Sequence, residues 1–357
     1  MTVSLGLVHS REGFTIDVLV RVALHVLHSV ALASCAVFAS LSLAWLVAAI
    51  TLSTNDRLNT WARNNWTFIR APKLTSADIA VVTGASGGLG RAIIDRLASR
   101  GVRVAALDIV EPHHDGSGES WPKNVRFYRV DVTDRDNVMR VRDRIRADIG
   151  SPTVLINNAG VVRAKSVLES SQQDIDTTFD VNTKAHYWLV QAFLPDMVQR
   201  NSGHVVTIAS STAYIAAPNG VAYCASKAAA LTFHEGLCLE LKHVYRAPLV
   251  KTSILCPAHF YTELFKGFDS GVPHFLGPSL DKQTVAQLIQ DILDSGQSQH
   301  VIEPAYAKLK PLFRVVPSWV QAVGYELSLG IRMRVSPKLT TPDHDSMTRN
   351  ALRGVGK

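Results

Sequence analysis

The chain is expected to fold as an α/β protein with a doubly wound parallel sheet, and three observations predict this. Short apolar runs alternate with longer stretches of helical periodicity from about residue 78 onward. The first run passes directly into a glycine-rich turn, Thr83-Gly84-Ala85-Ser86-Gly87-Gly88-Leu89-Gly90. The second run closes on an acid, Asp108. Strands separated by helices require parallel crossovers, which place helices on both faces of one sheet.

Each element can be justified in turn. Residues 78–83 read as a short apolar strand, with a helix expected over 89–100. A second strand covers 102–107, a third covers 125–130 and ends at Asp131, and a helix follows over 134–149. The fourth strand, 153–156, runs into Asn157-Asn158-Ala159-Gly160. A long helix is expected over 174–199, a fifth strand over 205–209, a helix over 222–244 and a sixth strand over 250–256. The Gly, Ser and Asp content of 113–122 marks a surface loop.

Composition bounds the rest. At 357 residues, 47% hydrophobic and 19% charged, the chain can hold one large α/β domain plus further segments. Its net charge of +7 suits an anionic partner. No nucleic-acid fingerprint accompanies that charge, so a membrane surface is the expected one. Cys35, Cys224, Cys238 and Cys256 form no CxxC and no metal-ligand spacing. They read as free thiols in a reducing compartment, and no metal site is expected.

Residues 29–52 contain no Asp, Glu, Lys or Arg. As one helix they would reach roughly 36 Å, enough to cross a hydrocarbon core of about 30 Å. A transmembrane or membrane-inserted helix is therefore expected there, with a hairpin or monolayer insertion as the other geometry. Before it, Asp17, Arg21, His25 and His28 recur at helical spacing among Phe14, Val18, Val22 and Leu24. That pattern describes an amphipathic segment over 1–28, suited to the membrane interface or docked on the globular domain. Arg57, Arg63, Arg70 and Lys73 follow the span and weakly favour a cytosolic catalytic domain. The reading divides the chain into 1–28, 29–52, a linker over 53–77, a dinucleotide-binding domain over 78–303, and a basic amphipathic tail over 304–357. In that tail Trp319, Val323, Leu327 and Ile331 fall at four-residue steps among Lys308, Lys310, Arg314, Arg332, Arg334 and Lys338. Adhesion to anionic lipid and packing on the domain are both open readings of it.

The candidate site follows from the motifs. Gly84, Gly88 and Gly90 lie where a strand turns into a helix, with Ser86 and Leu89 between them. Missing Cβ atoms let the backbone approach a pyrophosphate, and the helix N-terminus offers free N–H groups and a positive dipole. Asp108, 24 residues after Gly84, can accept bonds from ribose hydroxyls and repel a 2′-phosphate. NAD(H) is therefore favoured over NADP(H). Tyr223 and Lys227 are four residues apart, so both project from one helix face. A nearby ammonium is expected to lower the phenol's pKa toward the range useful for proton transfer. Ser210 and Ser211 close the fifth strand, at the sheet edge where ligands bind. Either serine could be the partner of Tyr223.

The Thr-Gly-x-x-x-Gly-x-Gly turn, the Asn-Asn-Ala-Gly run and the Tyr-x-x-x-Lys pair together resemble the short-chain dehydrogenase/reductase family over about residues 78–302. The resemblance implies a Rossmann-like fold and an NAD(P)-dependent oxidoreductase acting on alcohols or ketones. It implies a tetrad of Asn182, Ser210, Tyr223 and Lys227, with Asn182 ordering a water beside Lys227. It further places Asp131 against the adenine, Asn158 beside the cofactor and Thr262 at the nicotinamide carboxamide. One departure is Ala258 after Pro257, where the family usually has glycine. Phe260, Tyr261, Leu264, Phe265, Phe268, Val272, Phe275 and Leu276 fill the segment that forms the family's substrate lid, which suits a lipophilic substrate. With the apolar ends, these features resemble the membrane- or lipid-droplet-associated branch containing retinol dehydrogenases and 17-beta-hydroxysteroid dehydrogenases. That branch implies an endoplasmic reticulum or lipid-droplet surface, and the family implies a homodimer through the helices near 174–199 and 222–244. A reductase of a smaller ketone metabolite, or a non-catalytic lipid-droplet protein on an inherited fold, are the competing readings.

Overall fold

A computed structural model describes residues 16–33, 42–111, 121–262, 264 and 278–327. Seven parallel strands form one sheet: β1 (Ile79–Thr83), β2 (Arg103–Asp108), β3 (Val125–Arg129), β4 (Val154–Asn157), β5 (His204–Ile208), β6 (Lys251–Pro257) and β7 (His300–Glu303). Their spatial order is β3-β2-β1-β4-β5-β6-β7. Every residue of β1, β4, β5 and β6 is buried, so these strands show no polar alternation; both faces are covered.

The period of two along β1 feeds two cores. Ala80 and Val82 pack with Ile93, Ile94 and Leu97 of α3 (Gly88–Ser99) and with Val285, Ile289 and Ile292 of α8 (Lys282–Ser295). Val81 packs with Val141 and Ile145 of α4 (Arg135–Asp148), Leu189 and Phe193 of α6 (Ala185–Arg200), and Leu237 and Leu241 of α7 (Val221–His243). Helix ends follow the side chains available. Asp134 caps α4 by accepting the Asn137 N–H at 3.0 Å, and Asp281 caps α8 by accepting the Gln283 N–H at 2.8 Å.

Three expectations need correction. The single helix over 174–199 is α5 (Gln172–Phe179), a π-helical turn at Asp180–Lys184, and α6. Beyond β6, where the motif pattern marked no element, the structure adds α8 and β7. β7 is a half-buried edge strand of four residues, too short to carry a periodic signal. The third correction is at the N-terminus, where α1 (Ile16–Ala33) and α2 (Ser42–Arg63) divide the described parts of the expected 29–52 span. Residues 34–41 lie outside the described residues. Among the described residues no helix is long and apolar enough to cross a membrane. The second half of α2 carries Asp56, Arg57 and Arg63, which dilutes its apolar character.

These terminal helices dock on the domain through polar contacts. In α1, Arg21 donates to Asp17 at 2.8 Å and pairs with the buried Glu303 at the end of β7. Asp17 also accepts the backbone N–H of Tyr306 at 3.3 Å. The side chain of Asn64, just past α2, is buried and accepts the Ser298 N–H at 2.9 Å and the Lys251 ammonium at 3.3 Å. Its amide donates to the carbonyls of Thr60 and Ser298 at 2.9 and 3.3 Å. The tail continues as a 3₁₀ segment, Ala305–Arg314, and α9 (Ser318–Leu327). The proposed tail contacts at Ile331, Arg332, Arg334 and Lys338 lie outside the described residues.

Asn64→Ala would leave the buried Ser298 N–H without its acceptor and take one of two acceptors from the Lys251 ammonium, which keeps the Ile69 carbonyl at 2.9 Å. We expect it to lower unfolding stability by about 1–3 kcal/mol, read from the denaturant midpoint. An unchanged midpoint would mean that α2 does not depend on this contact.

Candidate active site

The strand order reverses between β1 and β4, and the two chains leaving that point are tied together. The Thr83 hydroxyl accepts the N–H groups of Asn158 and Ala159, both at 3.0 Å. In return the Asn158 amide donates to the carbonyls of Thr83 and Gly84, at 2.8 and 3.3 Å. Between them opens a cavity of about 500 Å³. Gly84, Ser86, Gly88, Leu89, Gly90, Asp108, Asp131, Asn158, Tyr223, Lys227 and Thr262 all line it.

The glycine turn is required by contact as well as by dihedral angle. Gly84 has φ +65°, and a Cβ there would lie 3.0 Å from the backbone of Ala159. A Cβ on Gly90 would lie 2.0 Å from the Gly84 carbonyl oxygen. The first turn of α3 therefore packs directly on the strand that feeds it. Gly87, its N-cap, offers no side-chain cap, so the first-turn amides are left to the cavity.

Asp108 lines the cavity and has a second role. Its carboxylate accepts the N–H groups of Ser86, Ile109 and Val110 at 2.9, 2.7 and 3.3 Å. It holds the glycine loop as well as facing the cavity. Burial raises its pKa, and the three amides oppose that rise. Asp131 accepts the N–H and hydroxyl of Thr133 at 2.9 and 2.7 Å. Arg103 lies at the opposite end of β2 and donates to the carbonyls of Ile149 and Ala77. Ala258 leaves a defined loop path: its N–H donates to the Glu303 carbonyl at 2.7 Å, and Tyr261 donates to that of Leu280 at 3.0 Å. The Thr262 hydroxyl is buried and has no hydrogen-bond partner among the described residues.

The proton-transfer candidates assemble at the wall formed by β5 and α7. The Ser210 hydroxyl lies beside the Tyr223 phenol, where it favours the ionised form, and it donates to the Pro257 carbonyl at 3.4 Å. Ser210 also accepts from the N–H and hydroxyl of Thr212, at 3.1 and 2.9 Å. Ser211 turns elsewhere and accepts from Lys310 at 2.7 Å, so the geometry separates the two serines. The Lys227 ammonium donates to the Ile208 carbonyl at 3.0 Å and lies 5.9 Å from the Tyr223 ring centroid. Asn182 sits in the π-helical turn. It accepts the Val161 N–H at 2.8 Å and donates to the Val161 carbonyl and the Ser226 hydroxyl at 2.9 and 3.0 Å. A π-helical turn of this kind often marks a functional position.

The expected lowering of the Tyr223 pKa by Lys227 is not what the cavity shows. Burial pushes the Tyr223 phenol well above its ordinary range, and only the Ser210 hydroxyl pulls it back. Burial also pushes the Lys227 amine down to about 8. Desolvation wins because Lys227 bonds a carbonyl rather than the phenol. Sequence reasoning gave no site role to Thr212, to Ser226 inside the Tyr-x-x-x-Lys run, or to Lys310, which it placed only in the basic tail. Within the expected lid, Phe260 is buried and Leu264 lines the cavity. Phe265, Phe268, Val272, Phe275 and Leu276 lie outside the described residues.

Residues 78–272 match the short chain dehydrogenase family. The chain belongs to the short-chain dehydrogenase/reductase family. It is an NAD(P)-dependent oxidoreductase acting on alcohols or ketones. It is 42% identical over 182 residues to Dehydrogenase RED2 of Cochliobolus heterostrophus, covering 50% of this chain and 67% of that one. It is 35% identical to human Epidermal retinol dehydrogenase 2, covering 62% and 72%. It is 33% identical to human Estradiol 17-beta-dehydrogenase 11, covering 70% and 83%. Among solved structures, a short-chain dehydrogenase from Streptomyces avermitilis superposes with a TM-score of 0.57 at 25% identity, covering 70% of this chain and 96% of that one. Ligand-free aldohexose dehydrogenase of Thermoplasma acidophilum gives 0.54 at 27% identity, covering 63% and 91%.

The Gly90 contact makes a direct prediction. Gly90→Ala should weaken NADH binding by about tenfold or more, read by fluorescence titration, because the loop must shift to relieve the clash. Unaltered affinity would show that the first turn of α3 relaxes without cost.

Proposed function

We propose that the protein is a membrane-associated, NAD(H)-dependent oxidoreductase of lipophilic alcohols and ketones, with Asn182, Ser210, Tyr223 and Lys227 as its working residues. The observation that carries this is Tyr223 and Lys227 together on the wall of the cavity that the glycine turn closes, with Ser210 beside the phenol.

The residues present fit a nicotinamide dinucleotide. Uncapped amides at the start of α3 suit a pyrophosphate, and the unpartnered buried hydroxyl of Thr262 suits a carboxamide. When bound, the nicotinamide accepts or supplies the hydride. The protein's own groups manage the proton and the oxygen. Ser210 donates to the substrate oxygen and holds it beside Tyr223. In oxidation the Tyr223 oxygen takes the hydroxyl proton; in reduction it returns one. Lys227 is protonated below about pH 8, and its charge favours the phenolate as the proton arrives or leaves. Asn182 fixes the turn at Val161 and the Ser226 end of the α7 site.

Asp108 supports NAD(H), because its charge at the cavity wall repels a 2′-phosphate. Membrane association is supported by where the exposed apolar side chains lie. Leu19, Val22, Leu24, Val26 and Leu27 of α1 are exposed, as are Leu309, Leu312, Val315, Trp319 and Val323. α1 is tied to Glu303 at the carboxyl end of β7, and the 3₁₀ segment to Ser211 just past β5. The apolar surface thus borders the sheet edge that carries the site. A lipid-facing surface there suits a substrate that partitions into bilayers or lipid droplets, with the catalytic domain on the cytosolic side.

Tyr223→Phe should reduce turnover by about 10³-fold or more while NADH binding stays within about twofold. In the wild type, kcat/KM for oxidation should rise with pH and that for reduction should fall, because one needs the phenolate and the other the phenol. Substantial turnover by the Phe variant would remove Tyr223 from the chemistry.

A turnover screen with lipid vesicles should compare retinol, a 17β-hydroxysteroid and a small polar alcohol, each with NAD⁺ and NADP⁺. We expect at least about tenfold preference for the lipophilic alcohols and for NAD⁺, with Asp108→Asn shifting the cofactor ratio about tenfold toward NADP⁺. Preference for the polar alcohol would overturn the substrate reading, and preference for NADP⁺ the cofactor reading.

A further inference from the structure

Lys310 belongs to the C-terminal 3₁₀ segment, yet its ammonium reaches the catalytic wall. It donates to the Ser211 hydroxyl at 2.7 Å and lies 5.9 Å from the centroid of the Tyr306 ring. Among the described residues no carboxylate pairs with it. The nearby Glu303 carboxylate is engaged by Arg21 and Lys308. A partly buried cation held only by a hydroxyl and a ring face is costly unless its charge serves something.

Its neighbours are the supports of the catalytic pair. Ser211 follows Ser210 and opens the short 3₁₀ turn Ser211–Ala213, whose Thr212 donates twice to the Ser210 hydroxyl. On α7, Cys224 follows Tyr223; it contacts Thr212 and lies within the electrostatic reach of Lys310. The ionisable groups facing Tyr223 and this turn are Cys224 and Lys227 from α7 and Lys310 from the 3₁₀ segment, with Tyr306 beside Lys310. Lys310 thus acts on Ser211 and Cys224, the residues that follow Ser210 and Tyr223, and it belongs to no family motif.

We propose that Lys310 is a positioning residue of the reaction: it fixes Ser211, and through it the turn that orients Ser210, and its positive charge favours the phenolate of Tyr223. The proposal rests on Tyr223 being the proton-transfer group. Burial brings the Lys310 amine down to about 8, so its charge is present at neutral pH and fades above that value. A contribution to the phenolate must therefore be strongest below about pH 8. The anchor also makes the catalytic turn depend on the segment that α1 docks against, through Asp17 and the Tyr306 N–H.

The test compares wild type with Lys310→Met, Lys310→Arg and Ser211→Ala. Lys310→Met should raise the acid limb of kcat/KM for alcohol oxidation by about half to one pH unit, with turnover at neutral pH down as much as about tenfold. NADH affinity should stay within about twofold. Lys310→Arg keeps the charge and should restore the limb, while Ser211→Ala should lower kcat without moving it. An unmoved limb in Lys310→Met, or an equal shift in Lys310→Arg, would overturn the proposal. Ultraviolet titration of the Tyr223 phenolate, with Tyr223→Phe as blank, reads the same shift without substrate. If the wild type turns over no alcohol, the functional reading fails, and the titration still decides the role of Lys310. Should Lys310→Met not fold, Lys310→Gln measured against Lys310→Arg makes the same comparison.

Discussion

The hydroxyl of Thr83 accepting the amides of Asn158 and Ala159 is the contact on which the rest of the site depends. In a doubly wound sheet the crossovers run to opposite sides of the point where strand order reverses, which leaves a crevice at the strands' carboxyl ends. A crevice is useful only if its two walls keep a fixed separation. Thr83 and Asn158 set that separation with four hydrogen bonds across the β1–β4 junction. The glycine turn then starts α3 on one side, and the chain beyond β4 leads past Gly160 to Asn182 and Lys227 on the other. A Cβ on Gly160 would lie 3.4 Å from the Asn182 side-chain Oδ1 and 3.6 Å from the Lys227 Nζ, which shows how closely that chain passes the site.

Burial then sets the electrostatics. Tyr223 and Lys227 sit on one helix face, but α7 presents that face to the end of β5, where little water reaches. Desolvation disfavours the phenolate and the ammonium alike, so each is displaced toward its neutral form. A hydroxyl donor such as Ser210, or a positive charge such as Lys310, consequently acts with more force here than at the surface. Asp108 is governed by the same balance, with three backbone amides opposing its desolvation. It thereby joins the glycine loop to β2 while keeping its charge at the cavity.

The terminal segments show how an apolar pattern is shared between two tasks. α1 places Asp17 and Arg21 on the domain and leaves a row of aliphatic side chains exposed. The tail likewise holds Lys310 against Ser211 and sets Phe313 edge-to-face with Tyr325, while Trp319 stays 71% exposed. The sequence reading left membrane adhesion and domain packing open for both ends, and the described residues of each end include some that pack on the domain and some apolar ones that stay exposed.

What the amino-acid sequence determined by itself was whatever depends on local spacing. The glycine turn, Asp108 at a strand end, and Lys227 one helical turn after Tyr223 are local relations, fixed by strand and helix geometry, whereas the pairing of Ser210 with Tyr223 came from the family resemblance. The alternation of elements fixed the sheet for the same reason. Only the tertiary structure decided the relations between distant segments: Asn64 bonding Ser298, Arg21 reaching Glu303, and Lys310 touching Ser211. It also decided the sign of the Tyr223 shift. Periodicity can place a phenol and an amine side by side, but whether water reaches them depends on how the whole chain packs. At this site, exclusion of water outweighs the pairing.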